Sequence, residues 1–145
     1  MKYSICLPLF LLLCCLTPFC HSQQESNRSN FTITRDAVNV TGEHKEEWHF
    51  YDAYLSNVDD TTYLKIKTVP TSKDNAVHIF ISDVHEEPNY KLSEYKSIEA
   101  QSLIIITNSF YRNKTKIVIG VQVTNTSSSY VITVQAVDEI QLEKD

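Results

Sequence analysis

Four histidines, adjacent carboxylate pairs such as Glu46-Glu47 and Glu86-Glu87, and a scatter of tyrosines are the residues of this chain that could do chemistry beyond its first twenty or so positions. The histidines are His44, His49, His78 and His85. His44 and His49 are five apart and fall on opposite faces of an extended strand, whereas a zinc pair needs both nitrogens on one side. His78 alternates outward from Val77 and Ile79, toward solvent or a partner. Glu46-Glu47 and Glu86-Glu87 are neighbours, so in extended chain they diverge, and acid–base chemistry needs two carboxyls flanking one bond. Asp74 and Asp83 read as turn formers, because a hard cation asks for six or more oxygens. All four cysteines (Cys6, Cys14, Cys15 and Cys20) lie in the first twenty residues. The rest of the chain therefore has no thiol nucleophile, thiolate metal site or disulfide. Two glycines, Gly42 and Gly120, cannot build a phosphate-cradling loop, and no Gly-x-Ser-x-Gly elbow occurs. These residues predict no catalytic site, no metal and no cofactor.

Binding is the chemistry that remains. Tyr51, Tyr54, Tyr90, Tyr95, Phe110 and Tyr111 are placed at strand ends or in loops. Aromatic rings with a polar tip offer contact area with few rotors, which suits recognition of a protein or a sugar. Tyr90, Tyr95, Phe110 and Tyr111 are the candidate binding residues, with Tyr90, Tyr95 and Tyr111 flanking segments expected to meet at one edge; the alternative is that each ring caps the core, as tyrosines do at sandwich corners.

The elements that must position them are strands. Tyr63-Leu64-Lys65-Ile66-Lys67 alternates apolar and charged. Val77, Ile79 and Ile81 share a face, as do Ile117, Ile119, Val121 and Val123, and then Tyr130, Ile132, Val134 and Ala136. Period two with β-branched and aromatic residues is the strand signature. Trp48-His49-Phe50-Tyr51 adds an aromatic strand, and Leu103-Ile104-Ile105-Ile106, apolar on both faces, reads as a central one. Phe31–Thr34 and Val38–Val40 are shorter candidates. Turn-forming clusters separate these runs at 57–60, 70–75 and 125–128, the last as a hairpin. The longest connection, Asp83 to Ala100, contains Pro88, Tyr90 and Tyr95. About eight strands with such punctuation predict an all-β fold: a single antiparallel, jelly-roll-like sandwich.

The N-terminus sets the compartment. Lys2, the apolar run Ile5–Leu16 and the helix-breaking Pro18, followed by Cys20-His21-Ser22, read as a secretory signal cut after residue 22. The run is too short to span a bilayer, and no second one of spanning length follows. Five acceptor triplets begin at Asn27, Asn30, Asn39, Asn113 and Asn125, and mark glycosylated surface positions in a eukaryotic host. Asn39 points away from Val38 and Val40, where a glycan must sit. The chain has 13 Lys and Arg against 18 Asp and Glu, a net −5, which argues against nucleic acid and anionic membrane as partners. The expected organisation is a signal over 1–22, a glycosylated segment with short strands over 23–42, the sandwich over 43–138 and a polar tail over 139–145.

From Glu47 to Gln135 the order of features resembles the bacterial pre-peptidase C-terminal domain, a small β-sandwich attached to secreted proteases. Trp48-His49-Phe50-Tyr51 corresponds to that family's aromatic opening strand and Tyr63-Leu64-Lys65-Ile66 to its alternating strand. Asp74 to Ser82 corresponds to its acidic turn and third strand, and Glu87-Pro88-Asn89-Tyr90 to its proline–tyrosine loop. Ile117-Val118-Ile119-Gly120-Val121 and Ser129-Tyr130-Val131-Ile132-Thr133-Val134 correspond to its closing strands. Ala76 and His78 stand where members carry aspartates sometimes used for calcium, so no calcium site carries over. The residues and the resemblance together imply a secreted, non-catalytic glycoprotein that binds an extracellular protein or glycan through the 83–100 connection. The resemblance alone implies an alternative, an accessory, chaperone-like or inhibitory partner of a secreted hydrolase.

Overall fold

The computed structural model describes residues 27–43, 47–72, 76–124 and 129–138. The expected signal, the polar tail, His44, Asp74 and Asn125 lie outside them. Nine strands are described: β1 (Arg28–Ile33), β2 (Val38–Glu43), β3 (Trp48–Leu55), β4 (Tyr63–Pro70), β5 (Val77–Ser82), β6 (Tyr95–Ser97), β7 (Ser102–Thr107), β8 (Lys116–Val123) and β9 (Ser129–Val137), with one helical turn, α1 (Asn108–Tyr111), between β7 and β8. None of the described helices is long and apolar enough to cross a membrane.

The strands form two sheets in the orders β1-β3-β8-β5-β6 and β2-β9-β4-β7. From β2 to β9 this is the jelly-roll arrangement, two four-stranded sheets whose sequential strands mostly alternate between layers. Every pairing among those eight strands is antiparallel. The ninth strand, β1, is added beside β3 in parallel, Arg28 opposite Phe50 and Ile33 opposite Leu55.

The period-two stripes meet between the sheets. Ile117, Ile119, Val121 and Val123 of β8 face Leu64 and Ile66 of β4 and Tyr130, Ile132 and Val134 of β9 across one continuous core. Each of these side chains is at most 1% exposed, which is the burial that β-branched residues on a pleated face predict.

Three expectations are corrected. β1 and β2 belong to the two sheets, and Ile33 is fully buried in the core. The sandwich therefore begins by Arg28, and a boundary between 42 and 43 would cut β2. β7 is an edge strand, not a central one: its outward side chains Leu103 and Ile105 are exposed and half-buried respectively. Apolarity on both faces reads as cover on both sides, which the strand order does not provide. β8 and β9 are not a hairpin, because they lie in different sheets; residues 125–128 themselves lie outside the described residues.

Candidate binding surface

The face of the five-stranded sheet that points away from the core is also covered. Phe50, Phe80 and Val118 project there and are buried, and Trp48 stacks on Phe50 at 5.9 Å and leans on Phe80 at 5.3 Å. Residues 83–94 cross this aromatic layer. A Cβ at Gly120 would lie 2.5 Å from the Pro88 carbonyl oxygen and 3.3 Å from the Phe50 ring. Gly120 is therefore the point where β8 lets the crossing segment descend onto the sheet, and Pro88 is buried there. A side chain at 120 would hold the two backbones apart.

Charged groups clamp the same segment. Arg28 of β1 donates from Nε and Nη2 to the two Asp52 carboxylate oxygens at 2.8 and 2.7 Å. It also donates to the Glu86 carbonyl at 2.8 Å and pairs with the Glu86 carboxylate. Lys116 of β8 bridges the same two acids, to Asp52 at 3.0 Å and Glu86 at 3.1 Å. Asp52 is 16% exposed, and its hydrogen bond from Arg28, seconded by that from Lys116, holds its pKa at about 2. The fork geometry of Arg on a carboxylate fixes orientation as well as charge. Next to it, Lys114 pairs with Asp83 at 2.6 Å.

Local turns finish the path. The Ser82 hydroxyl accepts from the Val84 and His85 amides at 3.1 and 2.9 Å, and Asn89 Oδ1 accepts from the Lys91 and Leu92 amides at 3.0 and 3.3 Å. These side-chain turns satisfy backbone that no strand pairs. The segment rejoins the sheet where Glu94 N–H donates to the Ile81 carbonyl at 3.0 Å.

Held in this way, the segment turns apolar residues outward. Val84, Tyr90, Leu92 and Ile98 are 71, 60, 45 and 54% exposed. Lys96 sits 4.2 Å from the centre of the Tyr90 ring and donates to the Tyr90 carbonyl at 3.2 Å. A lysine over the face of a tyrosine is a cation–π contact that fixes the ring's direction.

Of the four expected binding residues, Tyr90 presents its ring to solvent. Tyr95 and Phe110 are half-buried and meet edge to face at 4.9 Å, packed against the core. Tyr111 is corrected outright: it is 0% exposed, and its hydroxyl donates to the Thr61 carbonyl at 2.9 Å. α1 turns this ring inward to close one end of the sandwich. Tyr51 is likewise core, while Tyr54 is exposed. Leu92, Ile98 and Lys96 also belong to the surface, with no strand period to mark them. An apolar residue in a polar connection with no strand period is the signal that would have found the first two.

The chemistry-bearing residues are dispersed. Among the described residues no group of three His, Cys, Asp or Glu could hold a metal ion. His49 Nε2 lies 3.0 Å from Ser29 Oγ at the sheet edge. Of the acceptor asparagines, Asn30 lies on β1, Asn39 on β2 and Asn113 in the turn after α1, all exposed. Asn27 is half-buried and donates from Nδ2 to the Trp48 carbonyl at 3.0 Å.

No protein-family profile matches the chain, and no curated protein matches it. A solved structure does. The fold is similar to that of a pre-peptidase C-terminal domain, from the collagenase of Bacillus anthracis. The likeness has a TM-score of 0.46 at 7% sequence identity and covers 74% of this chain and 94% of that domain.

Proposed function

We propose that the chain is a secreted, glycosylated and non-catalytic recognition module that binds an extracellular protein through residues 84–98. One observation carries this reading. Four of the six exposed large apolar side chains among the described residues lie in that one segment, and an ion cluster and a buried proline fix its backbone. Apolar side chains that a protein clamps in water, rather than burying, are what a partner covers. Pre-ordering limits the entropy lost when it does so.

Tyr90 supplies an aromatic anchor with a polar tip, and Leu92 and Ile98 of the same segment add exposed aliphatic area. Lys96 and the acids Glu86 and Glu87 form the polar rim. Exposed acceptors at Asn30, Asn39 and Asn113 support a glycoprotein. The apolar start of the chain supports secretion.

A photo-crosslinking residue at position 92 of the secreted glycoprotein tests the reading, with position 36, exposed between β1 and β2, as control. Incubation in the source's own extracellular fluid is expected to give a discrete protein adduct from 92 and none from 36. Equal labelling from both positions, or none from 92, would sink it. Binding of the untagged protein to a glycan array through Tyr90 would replace the protein partner by a sugar. A secreted hydrolase as the adduct would make the chain an accessory of that enzyme.

A further inference from the structure

A two-sheet sandwich has four edge strands, here β1, β6, β2 and β7. Three are guarded in ways that block strand addition. β1 carries Arg28, tied to Asp52, and the acceptor Asn30. β2 carries the acceptor Asn39. β6 is three residues long and holds Lys96. β7, Ser102-Leu103-Ile104-Ile105-Ile106-Thr107, is six residues long with no charge, proline, glycine or acceptor.

Its hydrogen-bonding phase can be read from its neighbours. Asn108 N–H donates to the Thr62 carbonyl at 3.0 Å, continuing the register in which Thr107 faces Tyr63. On the other side of β4, Thr71 N–H donates to the Ser129 carbonyl at 2.9 Å. Antiparallel bonding alternates, so the even residues of β4 bond to β7 and its odd residues to β9. Ser102, Ile104 and Ile106 therefore bond inward to β4. Leu103, Ile105 and Thr107 turn their N–H and C=O groups to an edge that no other described strand pairs.

We infer that this edge joins a second copy of the chain, β7 pairing antiparallel with the partner's β7 about a two-fold axis at Ile105. Only an extended strand saturates a row of unpaired main-chain groups, and β7 is complementary to itself. In that register Ile105 meets its own copy and Leu103 meets Thr107. On the core side Ile104 meets Ile106, so the two interiors abut. No like charges are brought opposite each other, because the strand has none. The chain as a whole is acidic, at net −5, so its neutral edge is where two copies approach at least electrostatic cost. Lys65 and Lys67 stand one strand back, across from Ile105 and Leu103. The two β4 strands would be about 14 Å apart, beyond the screening length of about 8 Å. The product is a closed dimer with one eight-stranded sheet, because the far edge, β2, carries Asn39. One strand edge is a small interface, so the dimer is concentration-dependent.

Sedimentation velocity on the secreted glycoprotein, over about 1 to 300 μM, tests this. Wild type is expected to pass from monomer to dimer and no further. Ile105→Pro removes an outward N–H and no bond to β4, and Leu103→Lys places a charge on the edge. Both are expected to stay monomeric at every concentration, with melting temperatures within a few degrees of the parent. Tyr90→Ala is expected to dimerise as wild type does, which separates this edge from the proposed partner surface. A wild type that remains monomeric, a dimer that survives in whichever of the two edge variants folds, or growth into open-ended polymers would each overturn the inference.

Discussion

The hydroxyls of Tyr51 in β3 and Tyr130 in β9 hydrogen-bond at 2.6 Å inside the sandwich, joining the two sheets through a polar contact in an apolar interior. Both side chains are at most 1% exposed. Burial, the first cause for each, raises both phenol pKa values. The pair occupies the space beside Gly42, where a Cβ would lie 2.5 Å from the Tyr130 hydroxyl and 2.8 Å from that of Tyr51.

Removing the Tyr130 hydroxyl takes this bond from the hydroxyl of Tyr51. Tyr130→Phe is expected to destabilise the fold by about 1–3 kcal/mol, because the Tyr51 hydroxyl keeps its desolvation cost and loses this bond. The double variant, Tyr51→Phe with Tyr130→Phe, should cost less than the sum of the singles, with a coupling of about 0.5–3 kcal/mol. Urea denaturation of the four proteins measures it, and strict additivity would refute the contact. The raised pKa values favour the neutral form in the fold. Their contribution is complete below the ordinary tyrosine pKa of about 10 and is lost as pH rises above it. The part of the phenolate absorbance that the double variant lacks should therefore appear together with unfolding.

Gly42→Ala and Gly120→Ala are expected to differ in kind. Both insert a methyl group where none fits, costing about 1–3 kcal/mol or more. At 42 the obstacle is the end of the tyrosine pair. At 120 it is the Pro88 backbone, so the 83–94 segment must lift. Hydrogen exchange should show faster amides over 83–94 in Gly120→Ala alone. Equal protection there in both variants would contradict the described seat of Pro88.

Asp52 gives the fold an acid-sensitive clamp. Its pKa is lowered to about 2 by Arg28 and Lys116. A depressed carboxylate contributes stability that is present above its unfolded pKa of about 3.9 and is lost as pH falls toward 2, at most about 2 kcal/mol here. Asp52→Asn should lower stability at pH 7 and flatten its dependence between about pH 4 and 2. Chemical denaturation at each pH reads both effects, and a slope equal to that of wild type would remove the clamp.

Core and outer layer should respond unequally to truncation. Ile119 is 0% exposed between the sheets, and Ile119→Ala is expected to cost about 2–5 kcal/mol. Trp48 lies in the outer aromatic layer and is only partly buried. Trp48→Ala should cost less than a fully buried tryptophan would, and should loosen 83–94 as well. Thermal melts with hydrogen exchange separate the two. A parental melting temperature for Ile119→Ala would refute the facing of β8.

Alternation alone determined which side chains of β4, β5, β8 and β9 face the core, since a pleated strand has one period and Ile119 or Ile132 can satisfy it in one way only. It also marked 83–100 as the exceptional connection, because Pro88 and the loss of period break every strand reading. The tertiary structure decided what lies far apart in sequence. The parallel docking of β1 on β3, which brings Arg28 to Asp52, has no local signature. Gly120 carries no hint that Pro88 rests on it until the 83–94 segment is folded back over the sheet. Tyr111 and Tyr90 are the same residue type in similar polar surroundings. One is buried by α1 and the other exposed under Lys96, because burial depends on which elements close over a ring. Ile104 and Ile105 show the same limit: sequence assigns both to a strand, but strand order alone leaves that strand at an open edge.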